Sequence, residues 1–227
     1  MIFYTFYSTK IPDRIVQQHK SCCDKIGITV EYHSVEHKDF LRVYQQHGEM
    51  MNWLLNNNDG VVCFLDLDCL PYNLELIEEV YEWVKDNQSF CGNAQNVSHT
   101  YMRNHIYAAQ SLLMISKSSW KELGEPSMTS VFENGLTRID TSQLLTLRAD
   151  QVGFPYRLMY PIGYDQTPEY NLSGYGKYGI GTLYPTSWHH FSFSEHLDNL
   201  ELWEKRVNNI LNNEKILPKY SSIHYGL

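Results

Sequence analysis

The hydrophobic positions of the first 90 residues follow two periods in turn. Apolar runs at residues 2–7, 28–33 and 61–65 are typical of strands. Apolar side chains recur every three or four positions at 12–26, about 39–57 and about 74–85, which predicts helices, the last with Asn73 as its N-cap. Three alternations of this kind predict a parallel sheet with right-handed crossovers.

The second half of the chain has a more mixed pattern. It predicts strands at 90–95, 106–115 and 156–160, and helices near Trp120, at about 141–152 and at about 197–211. Residues 163–181 are rich in Gly and Tyr and predict a long mobile loop, which in a compact domain is usually functional. Because no repeat or clear boundary interrupts the pattern, we expect a single α/β domain over residues 1–227, with a Rossmann-like, mostly parallel sheet flanked by helices.

Composition narrows the class of protein. With 43% hydrophobic and 19% charged residues, the chain of 227 residues is too apolar for a disordered segment. Its 18 Lys and Arg against 26 Asp and Glu give a net charge of -8, which excludes a surface that coats nucleic acid by neutralising phosphates. Aromatic residues make up 14% of the chain and include 17 Tyr, which indicates a surface for stacking on rings or sugars.

The five cysteines and the N-terminal residues bear on the compartment. An odd number of cysteines, with one adjacent pair and no CxxC motif, predicts reduced thiols and neither a disulfide framework nor a zinc site. The opening MIFYTFYSTK lacks the basic leader of a signal peptide, and apolar runs such as 61–65 are too short to cross a bilayer. We therefore expect a protein without a membrane span, in the cytoplasm of a bacterium or of a phage-infected host cell.

Two aspartates follow directly on the most apolar predicted strand. Asp66 and Asp68 come after VVCFL, and side chains two residues apart on an extended chain point to the same side. Open α/β sheets bind ligands at this edge. Two neighbouring carboxylates repel each other, and a hard divalent cation that also holds a diphosphate relieves the repulsion. We favour such a metal site over a surface turn that merely contains two Asp.

Three blocks of the sequence resemble the GT-A fold glycosyltransferases over roughly residues 1–195. The first is VVCFLDLDCLP preceded by QQHGEMMNWLL, the second is RIDTSQLLTLRADQVGFPYRLMYP, and the third is SWHHFSF. The resemblance implies a nucleotide-sugar-binding half at 1–95, an acceptor and catalytic half at 96–195 of mixed structure, and a C-terminal helix and tail at 196–227. It also implies transfer of a sugar from a nucleoside-diphosphate sugar, with a UDP-sugar favoured, to an acceptor hydroxyl.

The resemblance implies a metal site, a donor site and a lid, since the loop at 163–181 would close over the bound donor and exclude water. Asp68 would be the direct ligand of Mn²⁺ or Mg²⁺, Asp66 would bind the metal or the donor's ribose and sugar hydroxyls, and His189 or His190 would be the third protein ligand. An imidazole beside carboxylates favours Mn²⁺; the alternative is that both histidines only pack. The further donor-binding candidates are Tyr7, Ser8, Arg42 (or Lys38), His47 and Gly48. Core packing is the alternative for Tyr7, and solvent-facing positions are the alternatives for His47, Arg42 and Lys38.

Asp140 stands where inverting members of the fold carry the catalytic base that takes the proton of the acceptor hydroxyl. The alternative is an N-cap for the helix predicted to begin near Thr141. In a retaining enzyme, Asp140 would instead bind the acceptor or the donor sugar, and the sequence leaves the stereochemistry open.

Two other functions compete with glycosyl transfer. In a phosphatase of the haloacid dehalogenase type, Asp66 would attack phosphorus and Asp68 would donate a proton. That family carries its motif on the first strand and has Thr or Val at the position of Leu70, whereas here a βαβα stretch precedes the motif. The third reading is a sugar- or nucleotide-binding module without turnover.

The acceptor and the oligomeric state stay open. A DNA base hydroxymethylated by a phage, a glycan, a protein and a small molecule are all compatible with the sequence. A basic face would favour DNA, and the residues that can form it are Arg103, Lys117, Lys121, Arg138, Arg148 and Arg157.

Overall fold

The structure is a computed structural model that describes residues 1–36, 40–96, 105–133, 136–172, 177–190 and 199–222. Its helices are α1 (Asp13–Ile26), α2 (Phe40–Asn57), α3 (Leu74–Asp86), α4 (Lys117–Glu122), α5 (Gln143–Val152) and α6 (Leu200–Leu211). Its strands are β1 (Ile2–Ser8), β2 (Thr29–Val35), β3 (Val61–Leu65), β4 (Cys69–Pro71), β5 (Phe90–Asn96), β6 (Ile106–Ser116), β7 (Val131–Glu133), β8 (Leu136–Ile139), β9 (Arg157–Met159), β10 (Gly163–Tyr164), β11 (Gln166–Asn171), β12 (Lys177–Ile180), β13 (Thr182–Leu183), β14 (Ser187–His189) and β15 (Tyr220–Ser221).

A six-stranded sheet with the order β2-β1-β3-β6-β5-β9 forms the centre of the fold. β1 pairs in parallel with β2 and β3, and β5 pairs in parallel with β9. β6 runs antiparallel to both of its neighbours. The predicted α/β class and mostly parallel sheet are therefore confirmed, with β6 as the exception. The N-cap of α3 is also confirmed, because the side chain of Asn73 accepts a hydrogen bond from the backbone N–H of Leu76 at 3.2 Å.

The side chains of β3 explain why its sequence is apolar throughout. Val62 and Phe64 lie in the core cluster that includes α2, whereas Cys63 and Leu65 lie in the cluster that includes α3. All four are at most 1% exposed, so the strand is buried on both faces. Each such side chain contributes about 1.5–3 kcal/mol of hydrophobic free energy when it is fully buried, a little less for Cys. This burial fixes the position of the residues that follow Leu65.

A second, antiparallel sheet has the order β15-β10-β13-β14-β4. Its strand β4 begins one residue after Asp68 and pairs with β14, so that Cys69 lies opposite His189 and Leu70 opposite Trp188. This pairing brings the last quarter of the chain to the end of β3.

The prediction of a long loop at residues 163–181 is wrong for the described residues of that range. β10, β11 and β12 all fall within it, and β11 pairs with β12. Tyr and other aromatic residues favour strands, and they outweigh the glycines here. Gly163 has a packing role, because a Cβ at this position would lie 2.4 Å from Cγ of Pro218. A closing movement of this segment stays a prediction, and residues 173–176 lie outside the described residues.

All five cysteines are free thiols, as predicted, and the structure shows that all five are buried. Burial raises the pKa of Cys63 and of Cys91 to about 12, which keeps both thiols protonated. Within the described parts of the chain, none of the helices combines the length and the apolar character that crossing a membrane requires.

Candidate metal centre

Asp66 and Asp68 lie in a tight turn between the two sheets. The backbone N–H of Asp66 donates to the carbonyl of Ser111 on β6 at 3.2 Å, and the N–H of Cys69 donates to the carbonyl of Asp66 at 3.0 Å. The side chain of Asp66 is 18% exposed, and that of Asp68 is 8% exposed. The turn therefore presents both carboxylates at the mouth of the sheet, with Asp68 the deeper of the two.

His189 completes a group of three potential metal ligands. Its Nε2 lies 3.4 Å from Oδ1 of Asp68. One ligand atom from each of Asp66, Asp68 and His189 can be chosen so that all three lie within 4.8 Å of one another. Two carboxylate oxygens and one imidazole nitrogen are a donor set that suits Mn²⁺, and Mg²⁺ is the alternative with stricter geometry. The residues present therefore fit the divalent cation that the sequence predicted.

The electrostatics of the group favour a bound cation. Burial raises the pKa of the Asp66 carboxyl well above its usual range, and the neighbouring charges of Asp68 and Asp140 raise it further. Two carboxylates in a poorly solvated site are therefore costly to ionise together unless a positive charge lies between them. A divalent cation would supply that charge.

His190 contributes to the site through its backbone. Its N–H donates to the carbonyl of Asp68 at 2.8 Å, which holds the aspartate turn against β14. Its ring packs edge-on against Trp188, with 5.4 Å between ring centroids, and burial lowers the pKa of its imidazole. Among the described residues, the ligand group includes His189 and not His190.

His47 and Gly48 on α2 have different surroundings. Nε2 of His47 lies 3.7 Å from Oδ1 of Asp66, and its ring packs edge-on against Phe6 at 5.0 Å. Burial lowers the pKa of His47 to about 4, partly offset by the charge of Asp68, so the imidazole is neutral at pH 7. Gly48 packs against the chain at 128–129, where a Cβ would lie 2.4 Å from Cα of Thr129.

The other predicted donor-binding residues are Tyr7, Ser8, Arg42 and Lys38. Tyr7 packs partly buried against the cluster formed by α1, β14 and α6, whereas Phe6 lies on the other side of β1. The hydroxyl of Ser8 accepts from the N–H of Lys10 at 3.2 Å. The side chain of Arg42 and the whole of Lys38 lie outside the described residues. Donor contacts by these residues stay predictions.

The side chain of Asp140 accepts hydrogen bonds from Tyr107 and Thr141. The hydroxyl of Tyr107 donates to Oδ2 at 2.9 Å, and the backbone N–H of Thr141 donates to Oδ1 at 2.8 Å. α5 begins at Gln143, and the N-cap position is Ser142, with φ 64°. The capping role expected of Asp140 is therefore wrong, because the helix begins later than predicted. The charge of Asp140 is among the causes that raise the pKa of the Asp66 carboxyl, after burial and Asp68.

Two described members of the predicted basic face have side-chain partners, and one of these partners is an acid. Nζ of Lys117 lies 3.2 Å from Oδ1 of Asp59, and the guanidinium of Arg157 lies 4.1 Å above the ring centre of Trp83. Arg103 and the side chain of Arg138 lie outside the described residues. A DNA acceptor gains no support from these contacts.

Sequence reasoning missed the residues that support His189. Nε2 of Gln95 lies 3.1 Å from Nδ1 of His189 and 3.2 Å from Oγ of Ser111. Asp165 accepts from the indole N–H of Trp188 at 2.9 Å and pairs with Arg206 at 2.6 Å. Only the position of Gln95 at the carboxyl end of a predicted strand could have indicated a role; nothing in the sequence joins Asp165 to Arg206.

Comparison with known proteins adds little. No protein-family model matches the chain, and no curated protein matches it. Among solved structures, a similar one is a glycosyltransferase involved in the glycosylation of the major capsid of PBCV-1, with a TM-score of 0.37 and 9% sequence identity. The match covers 54% of this chain and 63% of that one, which is less than two thirds of its length. We therefore argue the function from the site itself.

Proposed function

We propose that the protein is a metal-dependent glycosyltransferase that moves a sugar from a nucleoside-diphosphate sugar, with a UDP-sugar favoured, to an acceptor hydroxyl. The observation that carries the proposal is the convergence of Asp66, Asp68 and His189 within 4.8 Å at the carboxyl end of a buried parallel strand. Ligands of open α/β sheets bind at this edge, and a diphosphate needs a cation there because the carboxylates alone would repel it.

The residues at this site divide into metal ligands and supporting groups in this proposal. Asp66, Asp68 and His189 would hold Mn²⁺ or Mg²⁺, which when bound would supply the positive charge that stabilises the departing nucleoside diphosphate. The neutral imidazole of His47 lies beside Asp66 and restricts the orientation of its carboxylate. The buried backbone bonds at Ser111 and His190 keep the aspartate turn in place without the donor.

Asp140 is the proposed base for the acceptor hydroxyl. Its carboxylate is oriented by Tyr107 and Thr141, and each carboxylate oxygen has two lone pairs, so it can still accept a proton from a third group. Its charge is one of the two that raise the pKa of the Asp66 carboxyl, which supports this assignment. This role requires an inverting reaction, which remains part of the proposal.

A thermal-shift experiment tests the proposal. UDP together with Mn²⁺ should raise the midpoint temperature of unfolding by several degrees. UDP alone or Mn²⁺ alone should raise it by less, because each completes the binding site of the other. Asp68→Asn should abolish the joint effect. Asp59→Asn, which changes a fully exposed acid, should leave it intact.

Three other outcomes would contradict the proposal. Stabilisation by inorganic phosphate and Mg²⁺ alone would favour the phosphatase. If UDP-sugar and Mn²⁺ stabilise the protein but no UDP is released with any acceptor, including water, the protein would be a binding module without turnover. No effect of any nucleotide or metal would remove the metal site.

A further inference from the structure

The two ring nitrogens of His189 have different partners. Nε2 faces Oδ1 of Asp68 at 3.4 Å, within the ligand group, and Nδ1 faces the amide nitrogen of Gln95 at 3.1 Å. Gln95 is 6% exposed and lies near the end of β5. An amide nitrogen can only donate, so Nδ1 is the acceptor of this bond. A ring with a single proton therefore carries it on Nε2, where it points toward the carboxylate.

A metal ion bound at Nε2 needs the opposite arrangement. The ion takes the lone pair of Nε2, so the ring proton must be on Nδ1, and a buried Nδ1–H needs an acceptor. The carbonyl oxygen of Gln95 provides this acceptor if the side-chain amide flips about the Cγ–Cδ bond, which exchanges the positions of its oxygen and nitrogen.

Ser111 is suited to both orientations of the amide. Its hydroxyl oxygen lies 3.2 Å from Nε2 of Gln95 and 3.2 Å from Nδ2 of Asn93. A hydroxyl both donates and accepts. In the observed orientation Ser111 accepts from Gln95, and after rotation it donates to the carbonyl of Gln95 while it still accepts from Asn93. Ser111 and Nδ1 of His189 thus keep their hydrogen bonds in either state.

We propose that Gln95 is a positioning residue whose amide sets the tautomer of His189, donating to Nδ1 in the metal-free protein and accepting from Nδ1–H when a divalent cation binds at Nε2. This inference rests on the metal site of the proposed function. The ring loses a proton at one nitrogen and gains one at the other, so it stays neutral and no proton is taken up or released overall. Gln95 itself does not touch the metal.

The tautomer can be observed directly by NMR of the full chain with ¹⁵N-labelled histidine. We expect the His189 signals, identified by their loss in His189→Gln, to show a protonated Nε2 without metal and a protonated Nδ1 at saturating Mg²⁺, which is diamagnetic. Gln95→Glu offers only acceptor oxygens, so it should show the Nδ1–H form before Mg²⁺ is added. Gln151→Glu makes the same charge change at an exposed position and should behave as the wild type.

Metal affinity provides the second measurement, with Mn²⁺ alone followed by the electron paramagnetic resonance signal of the free ion. Gln95→Met, which fills similar space without hydrogen bonding, should weaken Mn²⁺ binding about 10-fold or more, and Gln95→Glu should restore it. A wild-type tautomer that is the same with and without saturating Mg²⁺, or a Gln95→Glu protein that keeps its proton on Nε2, would overturn the inference. If the protein binds no metal, the proposed function fails, but the tautomer change in Gln95→Glu still tests the contact between Gln95 and His189.

Discussion

Asp165 and Arg206 form a two-point ion pair that is almost completely buried. Nη2 and Nε of Arg206 donate to Oδ1 and Oδ2 of Asp165 at 2.6 and 3.2 Å, and the two side chains are 6% and 3% exposed. Oδ2 also accepts from the indole of Trp188, the neighbour of His189. The pair thus links α6 to the strand that carries the proposed imidazole ligand.

Removing one member of this pair should destabilise the protein strongly. Arg206→Met leaves the Asp165 carboxylate buried without its cation, which typically costs about 3–5 kcal/mol. The free energy of unfolding in urea measures the effect. Arg14→Met is a matched control, because the pair of Arg14 with Glu204 is exposed and such pairs contribute less than about 1 kcal/mol. Equal losses in the two variants would show that the pair is not buried in solution.

Gly48→Ala should destabilise the protein, although Ala at a helix interior is normally the more stable residue by about 1 kcal/mol. The added Cβ would meet the backbone of Thr129 at 2.4 Å, so α2 and the segment at 128–129 must move apart. We expect a loss of about 1–3 kcal/mol in the free energy of unfolding. Glu49→Ala, at the exposed next position, should change it by less than about 0.5 kcal/mol. A more stable Gly48→Ala protein would contradict the close approach.

His19 should make the stability of the metal-free protein depend on pH. The buried ring lies 2.7 Å from the hydroxyl of Tyr32 and 3.1 Å from the carbonyl of Cys69. Burial lowers its pKa from 6.5 to about 4, against the opposing effect of the Cys69 carbonyl. Because the folded pKa is the lower one, the unfolded chain binds more protons between these values. The stability is therefore complete above about pH 6.5 and is lost as the pH falls toward 4.

The effect of His19 can be measured by urea unfolding at pH 7 and pH 5 in the presence of a chelator. Linkage gives a loss of roughly 2 kcal/mol from this one residue over that interval. His19→Gln should be less stable at pH 7 but should lose less on acidification than the wild type. An unchanged difference between the two pH values would contradict the lowered pKa.

Asp140→Asn should lower turnover about 100-fold or more with little change in the KM for the nucleotide sugar, because the amide cannot accept the proton of the acceptor. Tyr107→Phe should cause a smaller loss, since it removes only the bond that orients Oδ2. Asp150→Asn is a matched control, as Asp150 also accepts from a tyrosine, Tyr156, but on the exposed surface. Initial rates over a range of donor concentrations separate the two parameters. A raised KM with unchanged turnover would assign Asp140 to binding.

The hydrophobic periodicity of the sequence predicted the alternating strands and helices of the first 90 residues. The unbroken apolar run of β3 indicated burial on both faces, and the position of Asp66 and Asp68 at its end follows from the chain direction alone. The resemblance supplied His189, yet the choice between His189 and His190 needed the pairing of β14 with β4. The alternation of side chains along a strand could show only that His189 and His190 face opposite sides, and not which of them faces Asp68.

Long-range contacts account for what could not be predicted. Asp140 precedes the N-cap because Ser142 adopts a left-handed conformation. In the loop expected at 163–181, β10 is a strand because it pairs with β13 and β15, which lie outside that range. Gln95 reaches His189 across 94 positions of sequence. No local pattern encodes a contact of this kind, since it depends on how two sheets meet.

The ligand group draws on both sheets, with Asp66 and Asp68 leaving the central one and His189 arriving on the strand that pairs with β4. A bound ion would therefore cross-link the two sheets, which are otherwise joined by a short turn, side-chain packing and hydrogen bonds such as that between Gln95 and His189. Bound metal should therefore slow the separation of the two sheets more than it slows the fraying of distant helices. When the metal is removed with a chelator, the backbone amides of β4 and β14 should exchange their hydrogens with solvent before those of β1.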